Sequence, residues 1–311
     1  MIFDQSSNDV PDRWLAFELS VLRRLKFDSV SIPFGGEPNL GVHLKRWGAR
    51  VGVSDRRQWA WTKNVARIEN NSARLTEDDL EILLRDAYVP GYELRHTILR
   101  KWFREIDAWW FDNVRAQAEK LDSAHKRSLA LSLLMSVGDY VRSFNEETLS
   151  LRQPLSAVFR RLWKMEPPPV NNKHDNTCHA GTARDFLAEA RGDLLFLRLP
   201  PTQNATARHS RWAWREEYAR GADDFWNDFE RTGANSLELA AHTKTQHLRS
   251  IEDLLETSLH LPRWAICFVE SRFTSAEEIV ELIRRLRKVD AIYTKDFSEL
   301  TGARATIITT S

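Results

Sequence analysis

Four short stretches of the chain hold residues whose types and spacing suit chemistry. Phe34-Gly35-Gly36 makes a glycine turn behind a short strand-like run, 28–33. A glycine turn after a strand lets backbone amides come close to a bound ligand. Asp55 ends a second strand-like run, 50–54, where a carboxylate either accepts hydrogen bonds from sugar hydroxyls or closes a turn. Leu199-Pro200-Pro201-Thr202 follows a third run, 193–198, and paired prolines there either present a rigid set of carbonyls or end a strand. Arg208, His209, Arg211, Trp212, Trp214 and Arg215 alternate cations with aromatic rings, which suits phosphates and stacked bases. The competing reading packs those indoles inward and leaves the arginines in water.

Other candidates are weaker. His174, Cys178 and His179 lie within six positions, but a tetrahedral metal site needs a further ligand, so no metal is expected. His242 and His247 are five apart, off the four-residue step of one helix face, and read as surface residues. Cys178 and Cys267 cannot form a disulfide framework, which points to a reducing cytoplasm. The chain carries 45 basic against 44 acidic residues, so bulk charge cannot hold a polyanion and any nucleic-acid contact must come from a local patch. At 42% hydrophobic residues a packed core is expected and disorder is not. No signal peptide is evident, and no apolar run is long enough to span a bilayer, so no membrane partner is expected.

The elements that must position these residues follow from periodicity. A helix over 12–25, a strand over 28–33, the glycine turn, a helix over 40–47 and a strand over 50–54 make a βαβ unit, which implies a parallel sheet. The middle is helical throughout. A helix over 76–87 opens on the capping pair Thr76 and Asp79. A long helix from Arg95 carries Trp102, Trp109 and Trp110 as a core stripe, and another helix covers 126–144. Pro167-Pro168-Pro169 with Asn171, Asn172 and Lys173 reads as a linker. Strands over 193–198 and 264–269, a helix over 275–287 capped by Ser275 and Glu278, and closing strands over 289–293 and 305–309 complete the chain. The expectation is an α/β domain from 1–74 and 175–311, with an antiparallel edge and a helical insertion with its linker over 75–174.

In order, Pro33-Phe34-Gly35-Gly36, Ser54-Asp55, a helical insertion and Leu199-Pro200-Pro201-Thr202 resemble the adenine-specific DNA methyltransferases of the Dam-like (D12) class. Arg104-Glu105-Ile106-Asp107-Ala108 and the stretch from Leu131 to Asp139 resemble the insertion of one bacterial branch of that class. The resemblance covers about residues 12 to 295. It implies a Rossmann-like, class I methyltransferase-like sheet. S-adenosylmethionine would lie at Phe34, Gly35, Gly36 and Asp55, and DNA near Arg208, Arg211, Trp212 and Arg215.

The chain also departs from the family where the chemistry is done. The family's loop begins with an acid where Ile32 stands and ends with a glycine where Pro38 stands. Its catalytic Asp-Pro-Pro-Tyr is here Leu199-Pro200-Pro201-Thr202, so the acceptor for the adenine amino group and the stacking ring are both replaced. Its G-x-K-type motif has no counterpart before Phe34. These departures imply a catalytically inactive homologue. It would bind DNA, or a partner protein such as an active methyltransferase or a defence-system subunit, and no cofactor is expected unless the pocket is intact. The alternative is an active S-adenosylmethionine-dependent enzyme with an atypical motif, in which Asp193, Gln203 or Asn204 supplies the acceptor.

Overall fold

Short runs of apolar side chains that are buried on both faces build the centre of a sheet. In β1 (Ser29–Pro33) every residue is buried, and β4 (Leu194–Arg198) and β5 (Arg263–Val269) are buried almost throughout. Such runs suit a parallel sheet covered by helices on both sides. β1 pairs in parallel with β2 (Arg50–Ser54) on one side and with β4 on the other, and β4 pairs in parallel with β5. The chain is a computed structural model that describes residues 14–85, 87–89, 92–200, 208, 210, 212–233, 237, 243–271, 274–298 and 304–311.

With β3 (Thr177–His179), β6 (Val289–Asp296) and β7 (Arg304–Thr310), the seven-stranded sheet has the order β3-β2-β1-β4-β5-β7-β6. Only β7 is reversed, pairing antiparallel with both β5 and β6. This is a Rossmann-like α/β sheet. Its strand order turns back between β1 and β4, and at such a switch point the carboxyl ends of the strands open a crevice.

The side-chain alternation of the strands divides two cores. Val30, Ile32, Val51, Leu194 and Phe196 face α1 (Leu15–Leu22) and α2 (Asn39–Arg46). Leu195, Leu197, Trp264 and Ile266 face α8 (Ala183–Glu189), α11 (Lys244–Thr257) and α12 (Ala276–Leu286). A third core joins α3 (Gln58–Asn64), α4 (Glu77–Leu84), α5 (Glu105–Ala118), α6 (Ala124–Arg142), α7 (Leu155–Met165) and α9 (Ala213–Arg220). α10 (Trp226–Gly233) packs beside α9 through Trp226, Phe229 and Ala213. The helical body thus draws in α3 and α9 from outside the span 75–174. Among the described residues, no helix is long and apolar enough to cross a membrane.

The long helix expected from Arg95 is instead two pieces. A 3₁₀ turn at Thr97–Lys101 ends at Trp102, and Arg104 is extended before α5 begins. The break lets the Trp102 indole donate to Glu217 while Phe103 stacks on Phe111 at 4.3 Å. Of the expected tryptophan stripe, Trp110 is fully buried, whereas Trp102 and Trp109 are half-buried. The capping box of Thr76 and Asp79 closes both of its hydrogen bonds, and Ser275 caps α12. β3 and α8 lie where only a histidine–cysteine cluster stood out, because three strand residues at a sheet edge leave almost no periodicity to read.

Lys45, on the buried side of α2, carries a testable consequence. It is 1% exposed, and its ammonium donates to the carbonyls of Ile68 and Asn70 at 2.6 and 3.0 Å. Burial pushes its pKa down from 10.5 to about 8. Below the lower value both folded and unfolded chains hold the proton, so the group adds no pH dependence. Between the two values the unfolded chain binds a proton that the fold refuses, so stability rises with pH. Relative to Lys45→Met, the wild type should gain on the order of 3 kcal/mol between pH 8 and pH 10.5, read from urea unfolding. A flat or falling difference would contradict it.

Candidate functional site

The switch-point crevice lies at the carboxyl ends of β1, β2 and β4, and the motif positions near it are Phe34 to Glu37, Asp55 and Leu199. The turn after β1 is tight. The Gly35 amide donates to the Ser54 carbonyl at 2.8 Å, and a side chain at Gly35 would meet Val53 at 2.3 Å. Phe34 takes a positive φ of 60°, a region that favours glycine and strains a bulky residue. Its ring is half-buried against the core beneath α8 and α11. The glycine freedom of this turn therefore serves its own packing.

Asp55 is 5% exposed, and its carboxylate is saturated. Oδ1 accepts from the Arg57 amide at 2.9 Å and from Arg57 Nε at 3.0 Å. Oδ2 accepts from the Gly36 amide and from Arg57 Nη2, both at 2.8 Å. A carboxylate offers about four lone-pair positions, and here protein N–H groups fill all of them. The nearest atom that a Cβ on Gly36 would meet is also Arg57 Nη2, at 3.8 Å, so the guanidinium lies over the turn. Phe34, Gly35, Gly36 and Asp55 are thus brought together as expected, but they do not fit a nucleoside: the ribose hydroxyls would find no open acceptor. Arg57 escaped the reading of the sequence. An aspartate accepting from the amide two residues on is an ordinary local turn, and Asp55-Arg56-Arg57 carried that signal.

Beside the turn stands a buried ion cluster. Lys63 Nζ donates to both Glu37 oxygens at 2.8 Å, and Arg215 Nη1 donates to Glu37 Oε1 at 2.7 Å. Arg215 also grips Asp139 of α6 through Nε and Nη2. Burial by itself raises the Glu37 carboxyl, but Lys63 and Arg215 outweigh it and hold it below the usual range. The Arg215 guanidinium lies against the indole pair, 4.3 Å from the ring of Trp212 and 5.2 Å from that of Trp59. Trp212 stacks on Trp59 at 5.1 Å. Of the segment expected to meet DNA, Arg215 therefore points inward with its charge met, and Trp212 packs against α3. The helix turns them that way because Trp214, Arg215 and Tyr218 share the face of α9 that meets α6 and α3, where Trp214 approaches Gly138 too closely to admit a Cβ. Arg208 is exposed, and His209 and Arg211 lie outside the described residues.

At the position where the resemblance put a catalytic acid, Leu199 is 4% exposed and continues the alternation of Leu195 and Leu197 into the core. Its amide donates to the Cys267 carbonyl at 2.8 Å, which extends the β4–β5 ladder. One residue earlier, Arg198 turns to the other face and forms a two-pronged pair with the fully buried Glu18 of α1, at 2.7 and 2.6 Å. Pro200 is half-buried, and Pro201, Thr202, Gln203 and Asn204 lie outside the described residues. Asp193 sits at the opposite, amino end of β4, where it accepts from the Asp28 and Ser29 amides. Those bonds hold its carboxyl below the usual range.

The remaining candidates separate. Cys178 and His179 alternate on β3, so their side chains leave opposite faces of the strand, and His174 is exposed before it. Both cysteines are free, and burial pushes both thiols up. Among the described residues no group of three or more potential ligands could hold a metal ion. His247 is buried, not at the surface: it falls four residues before Ile251 on the apolar face of α11. His242 lies outside the described residues. No protein-family model matches the chain, and no curated protein sequence is similar to it.

Proposed function

We propose that this chain is a catalytically inactive homologue of the adenine-specific DNA methyltransferases, acting as a DNA- or protein-binding component of a bacterial DNA-modification or defence system. The strand order β3-β2-β1-β4-β5-β7-β6 with β7 alone reversed supports the methyltransferase side of this reading, because the class I enzymes are built on that order. The single observation that carries the inactive side is the Asp55 carboxylate, whose four acceptor positions are all taken by Gly36 and Arg57. The buried aliphatic side chain of Leu199 agrees with it. Of the acceptors named for the active alternative, Asp193 is committed at the far end of β4, and Gln203 and Asn204 lie outside the described residues.

Titration calorimetry of the full chain with S-adenosylmethionine should give no saturable heat. The purified protein should pass no labelled methyl group to DNA. Saturable binding of the cofactor followed by transfer of label would overturn the proposal.

A further inference from the structure

We draw no further inference here: the strongest candidate, the side-chain cluster at the carboxyl end of α9 where the buried Asp112 carboxylate holds His96 Nδ1 at 2.5 Å and Arg115 Nη1 lies beside Gly221 without an acceptor, carries nothing, because that nitrogen is sealed from solvent and nothing in the structure shows what the imidazole would act on.

Discussion

Leu199→Asp, the substitution that would give residues 199–201 the Asp-Pro-Pro of the resembled motif, should destabilise the protein and yield no methyl transfer. Here the side chain at this position belongs to the apolar core that also holds Leu195, Leu197, Ile251 and Leu254. Removing the leucine alone costs about 2–5 kcal/mol. A carboxylate placed there without a partner is either desolvated or forced to take a proton, which adds to the loss. Restoring the acid also leaves Asp55 saturated by Arg57, so the methyl donor would still find no seat. Urea unfolding and a labelled-methyl assay on DNA read the two halves of the result. A variant as stable as the wild type that gains transferase activity would show that Leu199 faces a usable pocket.

Glu217→Ala should be the most damaging single change in the helical body. Glu217 is fully buried on α9, and three donors converge on its carboxylate. Lys101 Nζ donates to Oε1 at 2.7 Å, the Trp226 indole to Oε1 at 2.8 Å, and the Trp102 indole to Oε2. The group therefore ties together the 3₁₀ turn before α5, α9 and α10. Breaking a buried pair by removing one partner costs about 3–5 kcal/mol, because the other charge stays behind unpaired. Lys101 is 40% exposed and can turn to water, which lowers its share, but the two indole N–H groups have no such escape. Glu217→Gln keeps one acceptor and should lose roughly half as much. Thermal melting of the wild type and both variants gives the order. An alanine variant as stable as the glutamine variant would mean that the carboxylate's charge and second oxygen contribute little.

The two substitutions mark different depths of legibility. The departure of Leu199 from the Asp-Pro-Pro-Tyr pattern was visible in the order of amino acids, because a leucine cannot accept a hydrogen bond in any fold. β4 and β5 were legible for a similar reason: doubly buried strands are near-continuous apolar runs, and capping pairs such as Thr76 with Asp79 act within one turn. The turn at Asp55 was local too and was one of its two readings, while its partner Arg57 went unread.

What only the tertiary structure decided is where the charges go. Arg215 meets Glu37 across 178 positions and Asp139 across 76, so nothing in its own neighbourhood tells it from a solvated arginine. The same holds for Glu217, which reads as one more acid on a surface helix until Trp102 and Trp226 are folded onto it. Periodicity reports which face of an element is buried, because burial repeats with the backbone. The partner of a buried charge has no period, since it is chosen by the packing of elements distant in the chain, and so it becomes visible only in three dimensions.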